Sequence, residues 1–445
     1  MNPFAARRAR LIAQMHAKGG GVAIIATAPE VHRNSDAEYP YRHDSSFYYL
    51  SGFAEPEALI VIVAGATNQS ILFCRDKNME REIWEGFRYG PEAACEKFGF
   101  DAAYCIDAID TIIPTLLANK PAVFYALGSH AALDAQIQKW LRTVRAQSRT
   151  GITAPTTAHD ITGTLHEMRL IKDDSEVAIM QRAAAISSGA HARAMREAAP
   201  GLHEYQIEAE LLHEFRRHGS DFPAYTSIVA TGANACVLHY RAGNAVLQNG
   251  DLVLIDAGCE LDGYASDITR TFPASGRFSA AQKTLYQIVL DAQTAAFAAT
   301  GPGKRFVDGH DAALRVLSQG MLDTGLLDAD KVGTVDDVIN TGAYRQFYMH
   351  RTGHWLGMDV HDVGGYHEVA EAPDDKGNKP SRILHPGMTL TVEPGLYVRP
   401  APGVPEQFWH IGIRIEDDVT VTASGIDILS TAPKTIAEIE AVMAR

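Results

Sequence analysis

The stretch Asp251-Leu-Val-Leu-Ile-Asp256-Ala-Gly-Cys-Glu260-Leu-Asp262-Gly263-Tyr-Ala-Ser-Asp267-Ile-Thr-Arg-Thr-Phe272 places two apolar runs on either side of Glu260-Leu-Asp-Gly263, the pattern of two strands joined by a turn. A turn centred between Leu261 and Asp262 sets Asp256 directly opposite Asp267. A turn centred on Asp262-Gly263 shifts the register by two and makes them diagonal neighbours. Both carboxylates stay on one face in either case, because strand side chains alternate with a period of two. Like charges so placed destabilise a sheet unless a proton, a cation or water compensates them. A bound metal ion is the strongest of these compensators; the alternative is an open sheet face on which both carboxylates meet water.

Two later strand-like runs each carry a glutamate: Thr391-Val-Glu393-Pro-Gly-Leu-Tyr397 and Gly412-Ile-Arg-Ile-Glu416-Asp-Asp418. A carboxylate buried in such a run needs a partner, since desolvating it alone is costly. Between hairpin and glutamates lies His350-Arg-Thr-Gly-His354-Trp-Leu-Gly-Met-Asp-Val-His361-Asp362, with three histidines within twelve residues. One of these alone reads as a core or surface histidine. Together with four carboxylates in apolar settings, they favour a metal site.

The order Asp, ten residues, Asp, then His, Glu and Glu resembles the metal pattern of the pita-bread metallopeptidases, among them methionine aminopeptidases, prolidases and aminopeptidase P. The contexts LIDAG, SDITRTF, HWLGMDVHD, TVEPGLY and GIRIEDD look like aminopeptidase P in particular. So do Glu38-Tyr-Pro-Tyr-Arg42, Gly52-Phe-Ala-Glu-Pro-Glu57 and Glu82-Ile-Trp84 nearer the start, so the likeness spans nearly the whole chain. The resemblance implies an α/β N-terminal domain over 1–170, serving oligomerisation and substrate access, and an α+β pita-bread catalytic domain over 171–445. It implies a metal-dependent aminopeptidase that releases the residue preceding proline, with a prolidase acting on Xaa-Pro dipeptides as the alternative. Metal-free and non-catalytic relatives of the fold rank below both, because all five ligand types are present.

Residue by residue, the resemblance implies that Asp256 chelates one metal ion, that Asp267 and Glu416 bridge two, and that His354 with Glu393 completes the second. His239, His350 and His361 match substrate-binding histidines, Arg414 and Tyr397 match supporting residues, and Trp84 matches a residue that reaches a neighbouring subunit's site. Glu393 is also implied as the proton carrier, with His361 or His350 as donor to the developing oxyanion. Four carboxylates and one imidazole form a hard donor set suited to two Mn2+ ions, with Co2+, Fe2+ or Zn2+ as substitutes. A homotetramer, or a dimer, is expected. One local departure is the polar stretch 368–379, containing Glu371, Asp374, Asp375 and Lys376, which is longer than the family's usual loop.

Composition agrees with such an enzyme. The 445 residues are 46% apolar and 21% charged, as in soluble globular chains. A formal charge of −14 disfavours nucleic acid and anionic lipid surfaces as partners. No run has the length of a membrane span, and Arg7, Arg8 and Arg10 precede no signal-like apolar stretch, so a cytoplasmic protein is expected. Cys74, Cys95, Cys105, Cys236 and Cys259 form an odd set without metal or redox spacing and read as small buried hydrophobes. Two near-motifs fail. The histidines of His213-Glu214-Phe-Arg-Arg-His218 are five apart, not four, so they do not share a helical face; Gly301-Pro-Gly-Lys304 lacks the other marks of a phosphate loop.

Apolar runs at 22–26, 59–63, 71–74 and 122–125 predict strands in the first domain. Asp173 or Asp174 caps a helix stopped by Pro200-Gly201, with Glu176 at its positive end, and a second helix ends near Gly219. Strands are expected at 227–230, 252–257, 264–272, 390–398 and 411–421, and helices between 279 and 325.

Overall fold

A computed structural model describes residues 2–369, 371–373 and 377–444. The chain forms two compact units, Met1–Arg169 and Leu170–Arg445. In the first, a six-stranded sheet runs in the order Ala102–Cys105, Gln69–Cys74, Leu59–Ala64, Gly21–Ala26, Ala122–Tyr125 and Thr157–Asp160. Its central strands read Val-Ala-Ile-Ile and Leu-Ile-Val-Ile-Val because both faces are covered, leaving no position for a polar residue. Ile113, Leu117, Ile137 and Trp140 from the flanking helices complete that core.

In the second unit the helix Asp174–Glu197 opens with a capping box, Asp173 accepting from the first turn while Glu176 reaches back to the Asp173 N–H. The helix Glu204–Arg217 follows, and Ala280–Ala299 and Phe306–Asp323 pack against each other as a second helical pair. The strands form small antiparallel sheets. Ile228–Thr231, Leu252–Asp256 and Thr269–Pro273 make one; Thr389–Val392, Asp417–Val421 and Ile426–Ile428 another; Gly395–Val398 pairs with Ile411–Arg414. A bridge between Thr269 and Glu416 ties the first to the later strands.

Three strands expected to be continuous are interrupted. The 264–272 run breaks at 266–268, the 390–398 run at 393–394, and the 411–421 run at 415–416. Asp267, Glu393 and Glu416 sit in these three breaks, where loss of regular pleating re-aims a side chain.

Among the described residues no helix is long and apolar enough to cross a membrane. Cys74, Cys236 and Cys259 are buried free thiols, but Cys95 and Cys105 are only half-buried, which corrects the uniform expectation. Both are short side chains near a sheet edge, the last strand of which, Ala102–Cys105, is half-covered. His213 and His218 are exposed, and His218 Nε2 lies 3.0 Å from Glu214 on the same helix. Gly301-Pro-Gly-Lys304 is the turn between the paired helices.

Candidate metal centre

The hairpin turns on Asp262-Gly263. Both have positive φ, 50° and 80°, as a two-residue turn matched to strand twist requires. Leu261 therefore pairs with Tyr264, Glu260 with Ala265 and Asp256 with Thr269, so Asp267 is the diagonal neighbour of Asp256. A Cβ on Gly258 would lie 1.7 Å from the Ser266 carbonyl oxygen, so only glycine lets the two arms close at that point. The Tyr225 hydroxyl reaches Oδ1 of both Asp256 and Asp267. One hydroxyl carries one proton, so it satisfies only one of the two carboxylates at a time.

His354 is brought in from irregular chain. Its N–H donates to Thr391 Oγ1 at 3.1 Å, its carbonyl accepts from the Thr391 N–H at 3.0 Å, and a Cβ on Gly353 would strike the Thr391 carbonyl oxygen at 2.1 Å. The ring Nδ1 lies 2.9 Å from the Trp355 carbonyl oxygen, which fixes it as the donor. Nε2 faces Asp267 Oδ2 at 3.3 Å and Glu393 Oε1 at 3.8 Å; it donates to Asp267 while the ring is protonated and offers its lone pair to a ligand once that proton leaves. Ligand atoms of Asp267, His354 and Glu416 all lie within 4.8 Å of one another. Asp256, Asp267, His354, Glu393 and Glu416 line a single cavity of about 1060 Å³.

Crowding shows in their protonation. Burial, then the Asp256 charge, raises the Asp267 carboxyl. Burial and the charges of Asp267 and Glu393 raise Glu416 well above the usual range. Glu393 is lifted to about 7 by burial, only partly offset by His354 and Arg414. His354 moves up to about 9: burial opposes the shift, but its bond to Asp267 and the Glu393 charge prevail. Against four carboxylates stand the Arg414 guanidinium and the His354 imidazole, leaving negative charge in excess. Divalent ions fit that donor set, which offers oxygen ligands, an oriented imidazole nitrogen and uncompensated charge at one place.

Arg414 holds the rim of the cluster. Nη2 pairs with Asp256 Oδ2 at 2.5 Å, Nη1 donates to the Tyr397 hydroxyl at 3.0 Å and Nε to Thr269 Oγ1 at 3.0 Å. Thr269 in turn donates to Glu416 Oε2 at 2.6 Å. His350 Nδ1 donates to the Arg351 carbonyl at 2.7 Å, so Nε2 is the acceptor for the Tyr397 hydroxyl at 2.9 Å. Burial, then Arg414, lowers His350 to about 3, which keeps the ring neutral. His361 lines the same cavity with its ring 4.1 Å from that of His354, and burial followed by the His354 charge lowers it too. His239 is an exposed residue of the cavity wall. Trp84 belongs to the first unit, where it is 85% exposed.

Three contributors escaped the sequence reading. Tyr225 had no signal, since it precedes its strand in an unremarkable segment. Thr269 stands two residues after Asp267, at the start of the strand Thr269–Pro273, and that spacing was available. Asp418 accepts the Asp267 N–H at 3.1 Å and follows two residues after Glu416. In the 368–379 stretch, Glu371 pairs with Arg305 at 3.1 Å and Lys379 lines the cavity. Asp374, Asp375 and Lys376 lie outside the described residues.

A pita-bread fold whose carboxylates and one oriented imidazole converge in a deep cleft defines the class: a metallopeptidase. Residues 178–423 match the model of metallopeptidase family M24, and residues 4–125 match that of the aminopeptidase P N-terminal domain. The Xaa-Pro aminopeptidase of Escherichia coli is 44% identical over 443 residues, covering 99% of this chain and 97% of that protein. The structure of Pseudomonas aeruginosa aminopeptidase PepP superimposes with a TM-score of 0.94 at 47% identity, over 99% of this chain and 97% of that one. A human Xaa-Pro dipeptidase is more distant, 34% identical over 99% of this chain and 93% of its own length. The chain belongs to metallopeptidase family M24 and, within it, to the aminopeptidase P group. It is a metal-dependent aminopeptidase, a hydrolase.

Proposed function

We propose that the enzyme releases the N-terminal residue from peptides with proline in second position, and that two divalent ions, Mn2+ in the cell, are held by Asp256, Asp267, His354, Glu393 and Glu416. The convergence of those five side chains in one cavity carries the reading. When bound, such ions supply Lewis-acid polarisation of a carbonyl and a more acidic water. Asp267 and Glu416, buried within the cluster, would hold the ions together with Asp256, His354 and Glu393.

Glu393 takes a proton from the attacking water and delivers it to the proline nitrogen. His361 donates to the oxyanion. His350 is less suited, because Nδ1–H is committed to a backbone carbonyl and Nε2 accepts from Tyr397. His350 instead orients Tyr397 and, with His239, contacts the peptide. Arg414 fixes Asp256 and Tyr397.

Trp84, with its exposed neighbours Met79, Ile83 and Phe87, forms a contact between copies of the chain, giving a dimer or tetramer in the cytoplasm, while the first unit governs assembly and substrate access. Peptides, not nucleic acid or membrane, are its partners.

A tripeptide with proline second tests this. The protein stripped by chelator should be inactive and should recover on adding Mn2+, with two ions per chain by elemental analysis. Cleavage confined to dipeptides would reassign it as a prolidase. Full turnover in excess chelator, with less than one ion per chain, would overturn the metal-dependent mechanism.

A further inference from the structure

A second buried carboxylate, outside the metal cluster, is fully employed. Glu204 is the first residue of the helix Glu204–Arg217 and is 0% exposed. Its Oε1 accepts from the Thr231 N–H at 2.9 Å and Asn234 Nδ2 at 3.0 Å. Its Oε2 accepts from the Tyr240 hydroxyl at 2.9 Å and the Gly243 N–H at 3.1 Å. Asn234 Nδ2 also reaches the Tyr240 hydroxyl at 3.0 Å. All four donors belong to the segment between Thr231 and Gly243, which beyond the short turn Gly232–Cys236 has no regular structure. Backbone pairing secures the two stems, Thr231 lying opposite Val253 in the sheet and, at the far end, the Glu204 N–H donating to the Ala245 carbonyl at 3.0 Å and the Leu247 N–H to that of Leu202 at 2.8 Å.

That segment supplies one wall of the catalytic cleft, through Leu238, His239, Tyr240 and Arg241. A loop of this length with an exposed tip loses conformational entropy when it is held in one shape, and four charge-assisted bonds to one carboxylate at a helix's positive end supply the restraint. From this arrangement we infer that Glu204 is a positioning residue for peptide binding, acting through the loop to hold His239 toward the substrate. The inference rests on the assignment of His239 as a peptide contact made under the proposed function.

The variant Glu204→Gln keeps volume but turns one acceptor oxygen into a donor facing the Gly243 N–H. With the Mn2+-loaded enzyme and a proline-second tripeptide, KM should rise roughly ten-fold, the scale of one unsatisfied buried polar group. The kcat value and the metal content should stay within two-fold of the parent. Asn234→Ala, which removes one of the four bonds and leaves the carboxylate in place, should raise KM about three-fold, and it serves if Glu204→Gln does not fold. In a His239→Ala background, Glu204→Gln should add less than two-fold to KM, because the residue it positions is already gone. A lowered melting temperature with unchanged KM in both loop variants, or KM effects that multiply in the double variant, would overturn the inference alone. An unchanged KM in His239→Ala itself would overturn the inference together with the assignment of His239, and that single variant tells the two failures apart.

Discussion

Glu416 and Asp417 are joined by one peptide bond, both are buried, and they meet opposite fates. Asp417 Oδ1 pairs with Arg270 Nη2 at 2.6 Å, and Oδ2 pairs with Lys434 Nζ at 2.7 Å and accepts from Gln293 Nε2 at 3.1 Å. Glu416 receives the neutral Thr269 hydroxyl and faces Asp267, Glu393 and Asp256, whose charges push its carboxyl well above the usual range. Asp417 opens the strand Asp417–Val421 while Glu416 sits in the break before it, and the two side chains meet different surroundings. Around Asp417 the protein provides the cations itself; around Glu416 it gathers more carboxylates than its own cationic groups, Arg414 and His354, can balance. A buried carboxylate is therefore functional or structural according to who neutralises it, not according to how deeply it lies.

The contrast can be broken most forcefully at Asp267. Asp267→Ala should cut kcat/KM by well over about a hundredfold, more than the loss of a residue outside the ligand set costs, with an unchanged circular dichroism spectrum. Near-normal turnover would end the metal-centre reading. Asp417→Asn should do the reverse. It strands Arg270, so chemical denaturation should show a loss of roughly 3 to 5 kcal/mol while metal content per folded chain is kept. A loss under about 1 kcal/mol would mean the compensated face is not structural.

A subtler difference lies in pH. In the chelated protein the Glu393 carboxyl, lifted from 4.5 to about 7, keeps a proton that the unfolded chain has released. The stability this contributes is present below pH 4.5 and is lost as pH rises through about 7. Burial that keeps the His350 ring neutral adds stability as pH rises over the same window, so the Glu393 contribution is read as a difference: the melting temperature of the chelated parent relative to chelated Glu393→Gln should fall between those values, and Mn2+ should remove that fall. A relative rise over the same interval would contradict the crowding. Smallest of all, Lys434→Met should cost less than about 1 kcal/mol, because that side chain is 26% exposed and Asp417 keeps Arg270.

Much of this was written in the sequence, but unevenly. The pairing of Asp256 with Asp267 on one face followed from strand alternation in either register, and the Asp262-Gly263 dipeptide carries the turn chemistry that chose between the two. The breaks at Asp267, Glu393 and Glu416 were not legible, since Ile, Val and Pro around them continue the strand pattern or interrupt it by one residue. Long-range packing decides there: Thr269 bridges to Glu416, and the Glu393 N–H donates to the Thr352 carbonyl at 2.8 Å. Tyr225 and Glu204 were unreadable for the same reason. Each acts across the fold on residues 31 and 42 positions away in one case and 27 to 39 in the other, with no periodicity to announce it.

The bend at Asp262-Gly263 has a consequence for how the molecule is assembled. It brings one pair of acidic side chains together within a short loop, and the strands Gly395–Val398 and Ile411–Arg414 do the same for the later pair. Each half can thus form early, from nearby chain, as a self-repelling element. Only their union creates a cradle strong enough for a cation, so during refolding a divalent ion should be captured late, and the moment of capture marks the docking of the two halves.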